Sequence, residues 1–303
     1  MVLWLYTAIV RPILTYGSLV WWPALSKQYI CLKLSRIQRS ACIGATGALR
    51  TTPTDAMNVL LHLHPPDIHT KYLATCSALR LKAAGRWVDK PYGHGRILSN
   101  QGNSLQTDLM TVEVSTRKLF KTRIPERDEW NRGNILEEFV NIIYTDGSKM
   151  DSGVGAGVFS VLGIADSYKL PDSSSVFQAE IVAIWKACEF LLNLTIPPNR
   201  VAIATDSQAA IKALKSFSVK SWVVKSCLES IQNVASRKKV TLIWVPGHSN
   251  HEGNEKADEL ARLGTSLDQN CVEQVRTPFC NLKREMYSKL QKTACVNAQL
   301  CQL

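Results

Sequence analysis

Four carboxylates in this 303-residue chain stand where a site could be built. Asp146 follows the apolar run of "FVNIIYTDGS", and Glu180 lies early in the helix-spaced "SSVFQAEIVAIWKACEFLLNL". Asp206 closes "RVAIATD", and Asp258 falls in the first turns of "NEKADELARLG". Strand ends and helix starts are where open α/β sheets place their crevices. Gathered in one crevice, four like charges repel, and some hold protons above the usual carboxylate range. A divalent cation resolves that conflict. Mg²⁺ favours carboxylate oxygens and keeps positions for water and phosphate, and a pair of ions about 3.5–4 Å apart clamps the attacking and leaving oxygens of an in-line displacement. The chemistry implied is phosphodiester hydrolysis. Taken singly each acid has an ordinary reading: Asp146 as a turn residue before Gly147, Asp206 as a cap beside Ser207, Glu180 and Asp258 as solvated helix acids. It is the set, with every member at an element end, that favours a site.

The elements that must position these acids are legible from periodicity. "FVNIIYTDGS" reads as a short buried strand, "GVGAGVFSV" alternates at period 2, and "ADSYKLP" is a candidate third strand. Helix, strand, helix and helix follow, then the strand "VTLIWVPG" and a helix expected to stop at Gly264. Three strands in succession, then strands alternating with helices, predict a mixed sheet: a meander followed by parallel strands with crossover helices. "GVGAG" is not a dinucleotide loop, because its glycines lie inside an alternating segment and not at a strand-to-helix turn. Gly153, Gly155 and Gly157 are better explained by close approach of another backbone or a bend.

Length predicts two domains. Residues 1–87 read as a small helical domain, 88–138 as a linker with short structured pieces, 139–265 as the α/β domain and 266–303 as a helical tail. In "KQYICLKLSRIQRSACIGATG", Ile30, Leu34, Ile37 and Ala41 form an apolar stripe, while Lys33, Arg36 and Arg39 fall on the other side, either as a solvated face or as phosphate contacts. Net charge is +11, and the excess is concentrated early: 18 Lys+Arg against 10 Asp+Glu before residue 139, 18 against 15 after it. Such a balance suits a polyanionic partner. The nine scattered cysteines contain no CxxC pair, so neither a zinc site nor a disulfide framework is indicated, and core thiols of an intracellular protein are expected. The opening "MVLWLYTAIVRPIL" is broken by Arg11-Pro12 and is expected to be a buried element, not a membrane span.

"YTDGS", "QAEIVAI", "ATDSQAAIKAL" and "WVPGHSNHEGNEKADELA", in this order over about residues 140–265, resemble the type 1 ribonuclease H family of retroelement polyproteins. The resemblance implies a five-stranded mixed sheet with flanking helices and endonucleolytic hydrolysis of the RNA strand of an RNA–DNA hybrid. It implies two Mg²⁺ ions, with Mn²⁺ as a possible substitute, and no small-molecule cofactor. Carried over by motif, Asp146, Glu180, Asp206 and Asp258 become metal ligands and His248 of "PGH" a mobile proton-transfer or product-release histidine, a role for which histidine as a residue type is suited. Gly147, Ser148 and Gln178 become candidate nucleic-acid contacts.

Two departures stand out. "GHSNHEGNE" has Asn250 where the family commonly has glycine and His251 where it commonly has an apolar residue; only a short connector separates "IKALKS" from "VVKSCLES", so the basic handle of some relatives is absent. Residues 3–87 resemble the thumb-like segment that precedes this domain in reverse transcriptases of non-LTR retrotransposons, and no YxDD polymerase motif occurs in the chain. The sequence therefore predicts a metal-dependent hybrid ribonuclease in the nucleus or cytoplasm. The alternative is an inactive retroelement remnant whose basic helices still bind nucleic acid.

Overall fold

The computed structural model describes residues 1–99, 106–115, 117–133, 135–195, 198–247, 251–268 and 272–300. The chain divides into two compact units, one formed by residues 1–105 with 282–303 and the other by 106–281.

The second unit is built on a six-stranded mixed sheet. Its strands, in chain order, are β2 (Lys121–Arg123), β3 (Ile142–Met150), β4 (Gly153–Ser160), β5 (Ile164–Leu170), β6 (Arg200–Thr205) and β8 (Lys239–Trp244), arranged β2-β8-β6-β3-β4-β5. β3, β4 and β5 form the antiparallel meander; β6 pairs parallel with β3, and β8 parallel with β6. The sixth strand is the addition to the expected five. Lys121–Arg123 pairs parallel with Thr241–Ile243 at the sheet edge, inside the stretch expected to be linker. A separate two-stranded ladder joins β1 (Leu109–Val114) to β7 (Ser218–Ser221), which fills the short connector noted in the sequence.

Period-2 alternation sends Val201 and Ile203 to one core and Ala202 and Ala204 to the other. The first core packs helices α8 (Val176–Asn193), α9 (Gln208–Lys215) and α10 (Trp222–Ala235) through Ile181, Ile184, Leu214 and Ile231. Ser175 starts α8 with a capping box to Gln178, while Ser207 and Ser221 cap α9 and α10 through their hydroxyls. On the other face lies α11 (Glu252–Thr265), and here the glycines of β4 find their reason. A Cβ at Gly157 would fall inside contact distance of the Ala257 carbonyl, and one at Gly155 would meet the backbone of Ala261 and Thr265. Gly264 does not end α11 as expected. It lies within the last turn, where a Cβ would come 2.7 Å from the Tyr168 carbonyl, so both helix and strand are thinned for close contact. Buried Lys169 closes this junction by donating to the carbonyls of Ser152 and Thr265, the latter at the C-terminal end of α11, where a cation is favoured.

The first unit is helical: α1 (Val2–Leu5), α2 (Arg11–Thr15) and α3 (Ser18–Trp21), then α4 (Gln28–Thr46), α5 (Thr54–Leu60) and α6 (Pro66–Ala83), with most of α12 (Phe279–Leu300). A seventh short helix, α7 (Arg127–Arg132), belongs to the sheet unit. The apolar opening departs from expectation, since of residues 2–15 only Tyr6 is buried and Trp4 and Ile13 stay more than 60% exposed. Among the described residues no single helix is long and apolar enough to cross a membrane, although residues 2–15 and 18–26 pass by composition as a pair bent by 53°.

The stripe on α4 is also rotated from the expected one. Leu34, Gln38 and Cys42 face inward, while Ile37 is exposed. Gln38 is what turns the helix: it accepts from the Tyr6 hydroxyl (2.7 Å) and donates to Asn58 Oδ1 (2.8 Å) and the His64 carbonyl (3.1 Å), a satisfied polar network beside the Tyr6, Cys42, Met57 and Leu63 core. Charge separates between the units. The helical unit has 16 Lys+Arg against 4 Asp+Glu, a net of +12, and the sheet unit 20 against 21, a net of −1.

Candidate active site

The parallel register sets Thr145 opposite Thr205, so the acids that follow them, Asp146 and Asp206, leave adjacent strands side by side. Asp206 stands just past the end of β6. Asp146 is not at a strand end, as expected, but in the middle of β3, at the point where pairing to β6 stops and pairing to β4 alone continues. Glu180 reaches the same point from the second turn of α8. The helix can come this close because residue 147 has no side chain: a Cβ there would lie 2.5 Å from the Glu180 backbone nitrogen. Carboxylate oxygens of Asp146, Glu180 and Asp206 all lie within 4.8 Å of one another.

Burial and crowding act together on these groups. Asp146 is 7% exposed and Glu180 6%. Burial, then the Asp206 charge, pushes Asp146 up to about 7, against a lowering hydrogen bond from the Gly147 N–H. Glu180 is held well above the usual range by burial and by the Asp146 and Asp206 charges, and is eased by Thr205 and by the Gly147 amide. Asp258 lies beside Asp146, which feels its charge, but stands outside the set of three; its carboxylate pairs with Arg262 at 2.7 Å, one turn along α11.

The supporting residues were not singled out in the sequence, although a signal was present. Both strands carry the dipeptide Thr-Asp, and both threonines are fully buried. Thr145 Oγ1 donates to the Ala204 carbonyl (3.1 Å), and Thr205 Oγ1 donates to Glu180 Oε2 (3.4 Å) while accepting from the Ser207 N–H (3.2 Å). The Trp244 indole donates to the Asp206 carbonyl (2.9 Å), and a Cβ at Gly247 would lie 2.9 Å from Asp206 Oδ2. Gly247 is thus brought against the cluster; His248, with Asn250, lies outside the described residues. His251 sits edge-on to Trp130 of α7, centroids 5.2 Å apart, giving the unusual loop residue an aromatic seat.

Of the expected nucleic-acid contacts, Gly147 and Ser148 flank the cluster on β3. Gln178 does not serve. It is 1% exposed, and its side chain is spent on the Ser175 N–H and the Arg276 carbonyl (2.9 Å), a structural cap that the motif disguises as a contact. Lys33 and Arg36 are exposed on α4, whereas Arg39 donates to the carbonyls of Thr52 and Arg50 and to Thr54 Oγ1, tying down the loop before α5.

Residues 139–266 match the family model described as RNase H. A Ribonuclease H of Caulobacter sp. (strain K31) is 30% identical over 142 residues, 41% of this chain and 88% of that protein. The chain belongs to the ribonuclease H family. Human Ribonuclease H1 is 28% identical over 155 residues, but the chain spans only 53% of its length. A 36-residue stretch is 56% identical to the Ribonuclease H of Jannaschia sp. (strain CCS1), covering 23% of that protein. The acid cluster, Gly155, Gly157 and α11 all fall inside the matched ribonuclease H segment; β1 and β2 lie outside it.

Proposed function

We propose that the protein is an endoribonuclease that hydrolyses the RNA strand of RNA–DNA hybrids. The observation that carries this reading is the convergence of Asp146, Glu180 and Asp206 oxygens within 4.8 Å in a ribonuclease H fold. The donor set suits a hard divalent cation, being all carboxylate, and such an ion would relieve the repulsion that, with burial, raises Asp146 and Glu180. Asp146, Glu180 and Asp206 would hold Mg²⁺ or Mn²⁺, with Asp258 completing a two-ion set. When bound, the ions supply an activated water and charge stabilisation at the scissile phosphate.

The chain's own groups do the positioning. The Gly147 N–H orients Asp146 and Glu180 together, and the two buried threonines fix the two strands where the aspartates leave them. Gly147 and Ser148 face the RNA strand, whose 2′-hydroxyls in a wide minor groove distinguish it from DNA. His248, on the loop whose Gly247 approaches Asp206, moves protons or assists product release. Residues 3–87 are assigned, on their resemblance, as a thumb-like segment of a retroelement reverse transcriptase, and residues 266–303 as a helical tail.

A labelled RNA–DNA hybrid, an RNA duplex and a DNA duplex incubated with the full chain test the reading. Cleavage of the hybrid alone, present with Mg²⁺ and absent with chelator, is expected. Tight binding with no Mg²⁺-dependent cleavage would favour the inactive, nucleic-acid-binding alternative.

A further inference from the structure

The matched ribonuclease H segment begins at residue 139, yet β2 and α7, which precede it, belong to the same unit. β2 joins the sheet edge beside β8, and Arg123 at its end ties the chain that follows by ion pairs to Glu129 of α7 (3.9 Å) and to Glu138 (2.7 Å). These pairs are largely exposed and contribute little. The stronger tie is apolar: Trp130 of α7 and Tyr144 of β3 pack on one core around Ala204, Ile243 and Val245. Each ring also meets the start of α11. Gly253 lies on Tyr144, where a Cβ would fall inside contact distance of the ring, and His251, the residue just before the helix, stands edge-on to Trp130 with centroids 5.2 Å apart. Burial holds the His251 imidazole below its usual range, against a raising charge from Glu255, so at neutral pH it packs as an uncharged aromatic. The Trp130 indole N–H is buried without an acceptor, so the contact is one of rings and not a hydrogen bond. The glycine contacts of β4 cover α11 from Ala257 onward, and the turn before it rests on these two rings. Asp258, whose charge acts on Asp146, stands two turns beyond His251.

We propose that Trp130 is a positioning residue for the acid cluster: seated against His251, it fixes the first two turns of α11 and so the placement of Asp258 beside Asp146. The proposal rests on the ribonuclease reading of that cluster. It gives a task to a short helix outside the matched segment, and it makes β2 and α7 part of the working nuclease rather than a lead-in to it.

The test uses the full chain and two readouts. Amide hydrogen exchange in chelator, without substrate, reads the seat itself: Trp130→Ala should speed exchange at Glu255–Asp258 by about 3- to 10-fold, the loss of one aromatic contact, and leave β3, β6 and α8 unchanged. Cleavage of a labelled RNA–DNA hybrid in Mg²⁺ reads the consequence: the same variant should lower kcat by about 10-fold with KM within about twofold, because a group acting at the reacting phosphate is displaced while substrate contacts are kept. Trp130→Phe, which keeps a ring, should bring both readouts back to within about twofold of the parent. His251→Ala should reproduce Trp130→Ala, and the double variant should add little, since the two residues share one contact. Unchanged exchange at Glu255–Asp258 in Trp130→Ala would overturn the proposal, as would acceleration spread equally over β3, β6 and α8, or an unchanged kcat whatever happens to KM. Exchange is read without metal or substrate, so it decides the seat even where the parent chain cleaves nothing, an outcome that counts against the ribonuclease reading alone.

Discussion

The two units solve opposite electrostatic problems. The sheet unit gathers buried acids at one point and tolerates them because burial and mutual repulsion keep protons on Asp146 and Glu180. The helical unit gathers cations and buries a neutral polar network, Tyr6–Gln38–Asn58, where an all-apolar stripe was expected. Their packing differs in the same spirit: glycine-thin backbone contact between β4 and α11 in one, side-chain hydrogen bonding in the other. The lesson is that charge and polarity were placed unit by unit, with the buried acids in the near-neutral unit and the excess of cations in the other.

The substitution with the largest expected effect strikes the acidic side of this contrast. Asp206→Asn should lower hybrid cleavage by about 10³-fold or more, the several kcal/mol that a metal centre supplies, while leaving the circular dichroism unchanged. Turnover within tenfold of the parent would break the assignment. Next comes the glycine interface. Gly157→Val forces a branched side chain onto the Ala257 carbonyl and should cost about 3 kcal/mol, read as a fall in the denaturant midpoint. A stable variant would show that α11 can move off the sheet.

Gln38→Leu sharpens the comparison on the helical side. It strands the Tyr6 hydroxyl and the Asn58 amide, costing about 1–3 kcal/mol, and should speed amide exchange in α4 and α5 without changing β3 and β6. Equal acceleration in both units would mean that their cores are not separate.

The remaining effect is a gain. With its folded pKa raised from 3.8 to about 7, Asp146 keeps a proton in the native state that the unfolded chain releases. Native protein then binds more protons between roughly pH 4 and pH 7, so stability falls as pH rises through that window and the penalty is full above it. Asp146→Asn, in metal-free protein, should raise stability at pH 7.5 and leave it unchanged below pH 4. A loss of stability at pH 7.5 would reverse the sign and contradict the crowding of the three acids.

How much was legible follows from which forces leave a mark in a linear pattern. The meander, the parallel strands and the gathering of Asp146, Glu180 and Asp206 could be read because alternation, capping serines and apolar runs report local geometry directly. The glycines of β4 were legible as a close approach but not their partner, which is 100 residues on. Lys121–Arg123 escaped because a three-residue polar strand at a sheet edge buries nothing that periodicity can detect. Gln38 and Lys169 escaped for the converse reason: a polar side chain buried by a tertiary hydrogen bond looks exposed in sequence. Asp146 was found but misplaced within its strand, since nothing local tells that pairing to β6 ends while pairing to β4 continues.

The central claim is that Asp146, Glu180 and Asp206 form a divalent-cation site in an otherwise near-neutral sheet unit. Titration of the full chain with Mn²⁺, following the loss of the free-ion paramagnetic resonance signal, tests it without relying on catalysis. Saturable binding that is abolished in Asp146→Asn and Asp206→Asn and retained in Gln38→Leu is the predicted result. Mn²⁺ binding that survives unchanged in both aspartate variants would contradict it.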